Sequence, residues 1–253
     1  MKTTMIIPAK GFSRRIPEKN LRPFCGLPLV AWGVIQGQCS KLVDEVIVTT
    51  DSDKVAAVVE PYGARVMFRG YQDTDETPGT IPINEAVKNL RDNGEVEHDD
   101  IFIIHLGTYP VLKPDDFDRL VMALLSYRDS IDREIGSVTF RAIYRTITAR
   151  QRIAPGETGG EAFQFVNDYR AASTHGCCTS VTMARHYGVK GTWGKRHVAI
   201  EPWQDHDVDT LPEWEHAELC MEHYILKGKG PEAYYGYSTD KRTRPNTDES
   251  TAT

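Results

Sequence analysis

The sequence predicts an α/β fold with three layers, in which helices cover both faces of a mostly parallel sheet. Short apolar runs recur along the chain, and longer segments with the apolar spacing of helices separate them. The first apolar run also leads straight into a basic loop that contains a glycine. Because ligands of such sheets bind at the carboxyl ends of the strands, this loop is placed where a site is expected.

The predicted elements follow one another in strict alternation along the first half of the chain. Apolar runs predict strands at Met5–Ile7, Val46–Val48, Val66–Phe68 and Ile101–Ile104, with weaker candidates at Ile135–Phe140 and Val198–Ile200. Amphipathic spacing predicts helices at Leu29–Gln38, Asp53–Tyr62, Ile81–Arg91, Asp115–Tyr127 and Pro212–Lys227.

Length and composition favour a single soluble domain over residues 1–237. With 253 residues, of which 40% are hydrophobic and 26% charged, the chain can bury one sizeable core. The stretch from about 141 to 195 breaks the alternation and is too long for one connection, so we predict an excursion there. Residues 238–253 are polar and lack apolar periodicity, which predicts a disordered tail.

Several classes of protein are disfavoured by the composition. No apolar run reaches the ~20 residues that span a bilayer, and no signal-peptide core precedes the first strand, so we expect neither membrane insertion nor secretion. The five cysteines are odd in number and unpatterned, which favours a reducing cytoplasm. A net charge of −6 without a long basic stripe opposes nucleic-acid binding.

The loop from Pro8 to Asn20 carries the strongest functional signal. It concentrates positive charge in a chain that is acidic as a whole. Gly11 lets the backbone approach an anion closely, and Ser13 can donate from its hydroxyl or its amide. An exposed basic turn is the alternative, but such a turn needs neither a preceding strand nor a glycine. We therefore interpret the loop as a phosphate site, whose cations are Lys10, Arg14, Arg15 and Lys19.

Two aspartates near the other end of the chain form a second candidate centre. In an extended segment Asp207 and Asp209 point to one face, where both carboxylates can address one ion. Mg²⁺ is usually held by one or two carboxylates together with substrate phosphates. An ordinary acidic loop before a helix is the simpler alternative. Thr210 and Glu213 predict a capping box at the start of that helix. The helix is predicted to bury Trp214, Ala217, Met221 and Tyr224.

The phosphate loop resembles the N-terminal signature of one family. It contains neither G-x-x-x-x-G-K-[ST] nor G-x-G-x-x-G, which disfavours a P-loop NTPase and a dinucleotide-dependent dehydrogenase. The synthetases of CMP-activated sugar acids, typified by CMP-N-acetylneuraminate synthetase, open with Pro-Ala-Arg, a Gly/Ser-rich stretch and Pro-x-Lys-Asn-Leu. The matching residues here are Pro8-Ala9-Lys10, Gly11 to Arg15, and Pro17-Glu18-Lys19-Asn20-Leu21. Further matches follow in order at 24–32, 46–51, 62–69, 106–112 and 207–210.

This resemblance implies a fold and an activity. The fold would be Rossmann-like, of the nucleotide-diphospho-sugar transferase type. The activity would be cytidylyl transfer, in which CMP passes from CTP to a small acidic acceptor and pyrophosphate is released. The excursion would cover the acceptor site and join two chains in a homodimer. Transfer of another nucleotide to a sugar phosphate or phosphonate, or a homologue that has lost catalysis, are the alternatives.

The resemblance also implies roles for individual residues. The catalytic residues would be Lys10, Lys19 and Asp209, and Mg²⁺, or alternatively Mn²⁺, would bind Asp207 and Asp209. The nucleotide would contact Ala9, Lys10, Gly11, Ser13, Arg14, Asn20, Arg69 and Thr80. Lys10 stands where the family has arginine, which keeps the charge but loses the bidentate fork.

The acceptor pocket departs from the family pattern. The residues implied for it are Leu106, Thr108 and Arg170. Leu106 stands where sialic-acid enzymes carry glutamine, so it cannot supply the hydrogen bonds of that amide. We therefore expect an acceptor other than N-acetylneuraminate.

Overall fold

The computed structural model describes residues 1–71, 80–126, 135–142, 150–152, 163–165, 179–187 and 194–235. The strands are β1 (Thr3–Pro8), β2 (Pro23–Phe24), β3 (Leu27–Pro28), β4 (Glu45–Thr50), β5 (Arg65–Phe68), β6 (Ile101–His105), β7 (Ile135–Ala142), β8 (Arg150–Arg152), β9 (Phe163–Phe165), β10 (Thr179–Met183) and β11 (Gly194–Ile200). The α-helices are α1 (Leu29–Cys39), α2 (Asp53–Val59), α3 (Thr80–Asp92), α4 (Pro114–Ser126), α5 (Leu211–Cys220) and α6 (Glu232–Tyr235). Short 3-10 helices lie at Glu60–Tyr62, Ala184–His186 and Pro202–Gln204, and Met221–Leu226 is π-helical.

A seven-stranded sheet forms the centre, in the order β11-β7-β10-β6-β1-β4-β5. Strands β6, β1, β4 and β5 pair in parallel, as do β7 and β11, while β10 runs antiparallel to both of its neighbours. The prediction of a mostly parallel sheet is therefore confirmed. All six predicted strands belong to this sheet, with ends that differ from the predicted ends by a few residues.

Strand β10 was not predicted, and it lies inside the stretch expected to form an excursion. Its sequence, Thr-Ser-Val-Thr-Met, contains no apolar run, although most of its residues are buried. Its place between β6 and β7 supplies the burial that its composition does not indicate. The stretch from 141 to 195 thus contributes one complete strand to the central sheet.

Helices cover both faces of the sheet, because successive residues of β1 point in opposite directions. Met5 and Ile7 join an apolar cluster with residues of α1, α2 and α4. Ile6, between them, joins a separate cluster with residues of α3. The three-layer arrangement expected from the sequence is present.

Helix α1 is buried on two sides. Val30 and Val34 belong to the cluster against the sheet, whereas Trp32 and Ile35 belong to a further cluster that also contains Trp214 of α5. A helix enclosed in this way is apolar around most of its circumference rather than along one stripe. It joins the sheet to the chain segment that follows β11.

The burial predicted for the segment after Thr210 is correct for three residues and wrong for the fourth. Trp214, Ala217 and Met221 are buried, but Tyr224 is 46% exposed. The α-helix ends at Cys220 and the next six residues are π-helical, with more residues per turn, so the α-helical spacing does not extend to Tyr224. Its ring instead stacks on Trp203 at a centroid distance of 4.4 Å.

Two regions with sequence predictions fall partly or wholly outside the described residues. The predicted tail, 238–253, lies outside them entirely, as does most of the stretch from 141 to 195. The helices that are described are each too short or too polar to cross a membrane.

A buried polar network fixes the chain after β6 against α1 and α6. The Gln36 amide nitrogen donates to the carbonyl of Pro110 at 2.6 Å, and it lies 3.3 Å from the Tyr234 hydroxyl. That hydroxyl donates to the carbonyl of Leu112 at 2.8 Å. Gln36 and Tyr234 are fully buried, so these bonds are shielded from competing water.

Replacement of Tyr234 by phenylalanine is expected to lower the free energy of unfolding by about 1–3 kcal/mol. The change removes a buried hydroxyl, so the Leu112 carbonyl loses its donor and the Gln36 amide loses an acceptor. Urea denaturation followed by circular dichroism measures the change. Tyr224→Phe is the matched control on an exposed tyrosine, and it should alter stability by no more than about 0.5 kcal/mol. Equal losses in the two variants would contradict the role of the network.

Candidate active site

The basic loop begins on a rigid base formed by the ends of three strands. The Ala9 amide donates to the Thr49 carbonyl at 2.9 Å, and the Gly11 amide donates to Asp51 Oδ1 at 2.7 Å. Arg69 donates from Nη2 to the Ala9 carbonyl at 3.1 Å and lies 3.7 Å from the same Asp51 oxygen. Asp51 and Arg69 thus fix the first turn of the loop to the ends of the strands.

Gly11 has a packing reason to be glycine. A Cβ at this position would lie 2.6 Å from Ser52 Cβ and 2.9 Å from Ser52 Oγ. Ser52 cannot move away without disturbing α2, because its hydroxyl caps that helix by accepting from Val55 N. The sequence prediction gave Gly11 a role in anion approach, and the structure adds this close contact between the loop and α2.

The far end of the loop is held by burial and by one side-chain bond. Ile16 is fully buried in the apolar cluster that also contains Phe24 and Val208. The Asn20 amide nitrogen donates to the Lys10 carbonyl at 2.8 Å and so closes the loop across its base. Asn20 was expected to contact the nucleotide base, and here its amide nitrogen bonds within the loop.

The acidic segment approaches the loop from the opposite side. Val208 is fully buried, while Asp207 and Asp209 on either side of it are partly exposed and line the same cavity. The Val208 amide donates to the carbonyl of Thr108 at 2.9 Å, which attaches the segment to the turn after β6. Both carboxylates therefore face the basic loop.

The predicted capping box is present directly after the acidic segment. The Thr210 side chain accepts from the amide of Glu213, and the Glu213 carboxylate accepts from the amides of Thr210 and Asp209 at 2.8 and 2.9 Å. Because the same carboxylate binds two successive amides, the position of Asp209 is tied to the first turn of α5.

A three-way ion pair joins the two segments. Asp209 accepts from Lys19 Nζ at 2.8 Å through one oxygen and from Arg15 Nη1 at 2.7 Å through the other. Lys19 also donates to the Val208 carbonyl at 2.9 Å. Burial would raise the pKa of Asp209, but the hydrogen bonds and charges of Lys19 and Arg15 outweigh it and hold the pKa below its ordinary value. Asp209 is therefore ionised at neutral pH.

The basic loop, the acidic segment and the turn after β6 enclose a cavity of about 340 Å³. Its described lining unites basic, acidic and hydroxyl side chains with one apolar residue: Lys10, Ser13, Arg14, Arg15, Lys19, Asn20, Leu106, Thr108, Asp207 and Asp209. Arg15 was predicted only as one of the four cations of the phosphate loop, without an individual contact. Its place among four cations in ten residues was the available signal.

The remaining predicted site residues lie elsewhere. Three of them support the start of the loop and are not among the described residues that line the cavity: Ala9, Gly11 and Arg69. Thr80 begins α3. Arg170 lies outside the described residues.

His105, at the end of β6, is a structural residue. It is completely buried, its Nδ1 lies 2.8 Å from Thr179 Oγ1, and its ring packs edge-on against Phe117. Burial lowers the pKa of His105 to about 3, so the ring stays neutral in ordinary buffers.

The side chains of the cavity suit a polyphosphate bound together with a divalent cation. Four cations can neutralise phosphate oxygens at one side, and two carboxylates supply hard oxygen ligands at the other. Oxygen ligands of this kind fit Mg²⁺ or Mn²⁺ rather than softer metals. The residues present therefore fit the metal that the resemblance implies.

A family model and several curated proteins match about half of the chain. A family model described as cytidylyltransferase matches residues 4–147. Pseudaminic acid cytidylyltransferase of Campylobacter jejuni is 31% identical over 118 residues, which are 46% of this chain and 50% of that protein. The 3-deoxy-manno-octulosonate cytidylyltransferase of Chlorobium phaeobacteroides is 33% identical over 118 residues, which are 47% of this chain and 44% of that protein. The chain thus spans about half the length of the curated relatives it matches.

Solved structures resemble the fold over a larger share of the chain. A CMP:2-keto-3-deoxy-manno-octonic acid synthetase complexed with CTP gives a TM-score of 0.57 at 18% identity, covering 87% of this chain and 98% of that one. A cytidylyltransferase from Leptospira borgpetersenii gives a TM-score of 0.57 at 15% identity, with 93% of both chains covered. At such identities the likeness establishes the fold alone. Because the family model covers more than half of the sequence, the chain belongs to the cytidylyltransferase family.

Proposed function

We propose that this protein transfers a cytidylyl group from CTP to a small acidic acceptor and releases pyrophosphate. The observation that carries the proposal is the cavity itself, where Asp209 lies between two cations of the basic loop and beside Asp207. A basic loop facing two carboxylates supplies both kinds of group that a metal-bound triphosphate needs. Family membership supplies cytidine as the nucleoside.

The reaction balances without any further reagent. An acceptor oxygen forms a bond to the α-phosphorus of CTP, the bond from that phosphorus to the bridging oxygen breaks, and pyrophosphate leaves with its electron pair. The acceptor proton passes to solvent. Negative charge grows on the bridging and leaving oxygens, so side chains that stabilise these oxygens accelerate the reaction.

Lys10 and Lys19 are the proposed catalytic cations, and Ser13, Arg14 and Arg15 support the leaving phosphates. Lys19 is well placed, since its side chain is only 13% exposed and its ammonium group lies at the cavity wall. In a site with little water, charge neutralisation by such a group exceeds its value in bulk solvent. Correct placement of the triphosphate then follows from the rigid base of the loop.

Asp207 and Asp209 are the residues that would hold Mg²⁺, or Mn²⁺ in its place. When bound, the ion would neutralise phosphate oxygens and polarise the bond to the α-phosphorus. In the structure Asp209 already pairs with Lys19 and Arg15. A triphosphate would compete with Asp209 for both cations, which would leave this carboxylate available to hold the ion.

The acceptor is proposed to bind near Leu106 and Thr108. These residues line the same cavity as the basic loop and belong to the turn that holds the acidic segment. The matched relatives are named for pseudaminic acid and 3-deoxy-manno-octulosonate, which supports a sugar acid as the class of acceptor. Leu106 offers only apolar contact, so the acceptor presents an apolar or aliphatic part there.

A pyrophosphate-release screen tests the proposal. Four nucleoside triphosphates are crossed with a panel of sugar acids, sugar phosphates and phosphonates in the presence of Mg²⁺. Turnover is expected with CTP and a sugar acid, and N-acetylneuraminate should be a poor substrate, because each missing polar contact weakens binding by roughly 1–3 kcal/mol.

The other outcomes of the screen distinguish the alternatives. Turnover with GTP or another triphosphate and a sugar phosphate would replace the cytidylyl reaction by a different nucleotidyl transfer. Binding of CTP by calorimetry without turnover on any acceptor of the panel would support a homologue that has lost catalysis.

Asp209→Asn is expected to lower turnover by more than ten-fold with little change in stability. The variant removes a metal ligand and the partner of two cations, and a ten-fold loss corresponds to about 1.4 kcal/mol of transition-state stabilisation. Stability changes little because a partly exposed ion pair contributes only about 0–1 kcal/mol. Steady-state assays and thermal melts measure the two effects. Glu215→Gln, the same change at an exposed site on α5, should leave turnover unaltered, and a similar rate in both variants would remove Asp209 from the mechanism.

The protein is proposed to act as a homodimer joined through the stretch from 141 to 195. That stretch contains Phe163, Phe165, Tyr169 and Trp193, a composition typical of interface anchors. Tyr187, also in the stretch, packs against Phe102 within the chain. Light scattering at micromolar concentration should give about twice the mass of one 28.5 kDa chain. A mass equal to one chain would refute the dimer.

A further inference from the structure

A second group of ligating side chains lies behind the acidic segment. His206, His216 and Cys220 each offer one donor atom, and these atoms all lie within 4.8 Å of one another. His206 directly precedes Asp207, whereas His216 and Cys220 are four residues apart on one face of α5. None of the three is among the described residues that line the active-site cavity.

His206 presents one ring nitrogen to this group. Its Nε2 is buried and has no hydrogen-bond partner among the described residues. The ring also makes a hydrogen bond to the backbone of Trp203, which therefore involves Nδ1. A carbonyl that accepts from Nδ1 fixes the tautomer that leaves a lone pair on Nε2, as is usual for histidines that bind metal. A buried lone pair without a partner is unfavourable, and a cation would satisfy it.

The other two side chains of the group, His216 and Cys220, differ in exposure. The imidazole of His216 lies against that of His206, with ring centroids 4.7 Å apart and planes at 76°. His216 is exposed, so its ring can rotate into place, while Cys220 is buried at the end of α5. Ligands of a tetrahedral zinc ion lie roughly 3.5 Å apart, given metal distances of about 2.0–2.3 Å. The three donor atoms, within 4.8 Å of one another, therefore need to approach only slightly to bind one ion.

We propose that His206, His216 and Cys220 bind one Zn²⁺ ion, with water as the fourth ligand. Two imidazoles and a thiolate favour zinc over Mg²⁺, which prefers oxygen ligands. On binding, the thiol of Cys220 loses its proton to solvent, and no other bond is made or broken. The ion joins the residue before Asp207 to the middle and the end of α5, and so encloses both active-site carboxylates in a cross-linked segment.

Metal titration with single-residue variants tests this site. The full chain, freed of metal with a chelator, is titrated with Zn²⁺ by calorimetry and with Co²⁺ by absorption spectroscopy. One Zn²⁺ per chain should bind and should resist competition by millimolar Mg²⁺. Co²⁺ should produce a thiolate-to-cobalt charge-transfer band in the parent protein.

The variants separate this site from other places where zinc can bind. His216→Ala should weaken Zn²⁺ binding by about ten-fold or more, because one of three protein ligands is lost. This variant should fold normally, since His216 is exposed. Cys220→Ser should abolish the charge-transfer band. His98→Ala, at another exposed histidine, and a Cys177→Ser, Cys178→Ser double variant should bind as the parent does.

Three results would overturn the assignment. They are the absence of Zn²⁺ binding by the parent, unchanged binding in His216→Ala, and loss of binding in the Cys177→Ser, Cys178→Ser variant. Because the readout is metal binding rather than turnover, the outcome is independent of whether the proposed reaction is correct.

Discussion

The candidate site depends on two apolar residues placed in the middle of charged segments. Ile16 stands in the basic loop and Val208 in the acidic segment, and both are fully buried in one apolar cluster. Burial of such a side chain contributes about 1.5–3 kcal/mol, whereas a partly exposed ion pair contributes about 0–1 kcal/mol. Packing rather than charge therefore brings the two segments together. They are remote in sequence, since Lys19 and Asp209 are 190 positions apart. The ion pair of Asp209 sets the orientation once packing has set the distance.

Much of the fold could be predicted from the sequence, because most strands of the central sheet are apolar runs that can be recognised without knowing their neighbours in the sheet. Strands β1, β4 and β6 are parallel and enclosed, and β5 pairs with β4 at the edge of the sheet; the apolar composition of all four identifies them. Strand β10 was not predicted because it is short and contains no apolar run, and its burial comes from its position between β6 and β7. The hairpin of β2 and β3 was not predicted for another reason. Its turn uses Cys25 and Gly26, both with positive φ, and Cys-Gly lacks the Asn or Asp that usually marks such turns.

Charged groups of the site were easier to predict than its supporting contacts. The two carboxylates and the four loop cations follow from local sequence, and all six line one cavity. The bonds of Asn20 to the Lys10 carbonyl and of Arg69 to the Ala9 carbonyl could not be predicted, because main-chain acceptors leave no trace in the sequence. Asn20 and Arg69, predicted to contact the nucleotide, also support the loop through these bonds. The role of Arg15 likewise depends on the approach of Asp209 from a remote part of the chain.

The bond between the Val208 amide and the Thr108 carbonyl bears on how the proposed acceptor pocket can diverge during evolution. Because both partners are main-chain groups, side chains at 106 and 108 can be exchanged without displacing the carboxylates at 207 and 209. An insertion or deletion in that turn would move the carbonyl and shift both aspartates with it. Divergence of this pocket is therefore expected to proceed by substitution at constant loop length, which changes the side chains at the cavity wall and keeps the two aspartates in place.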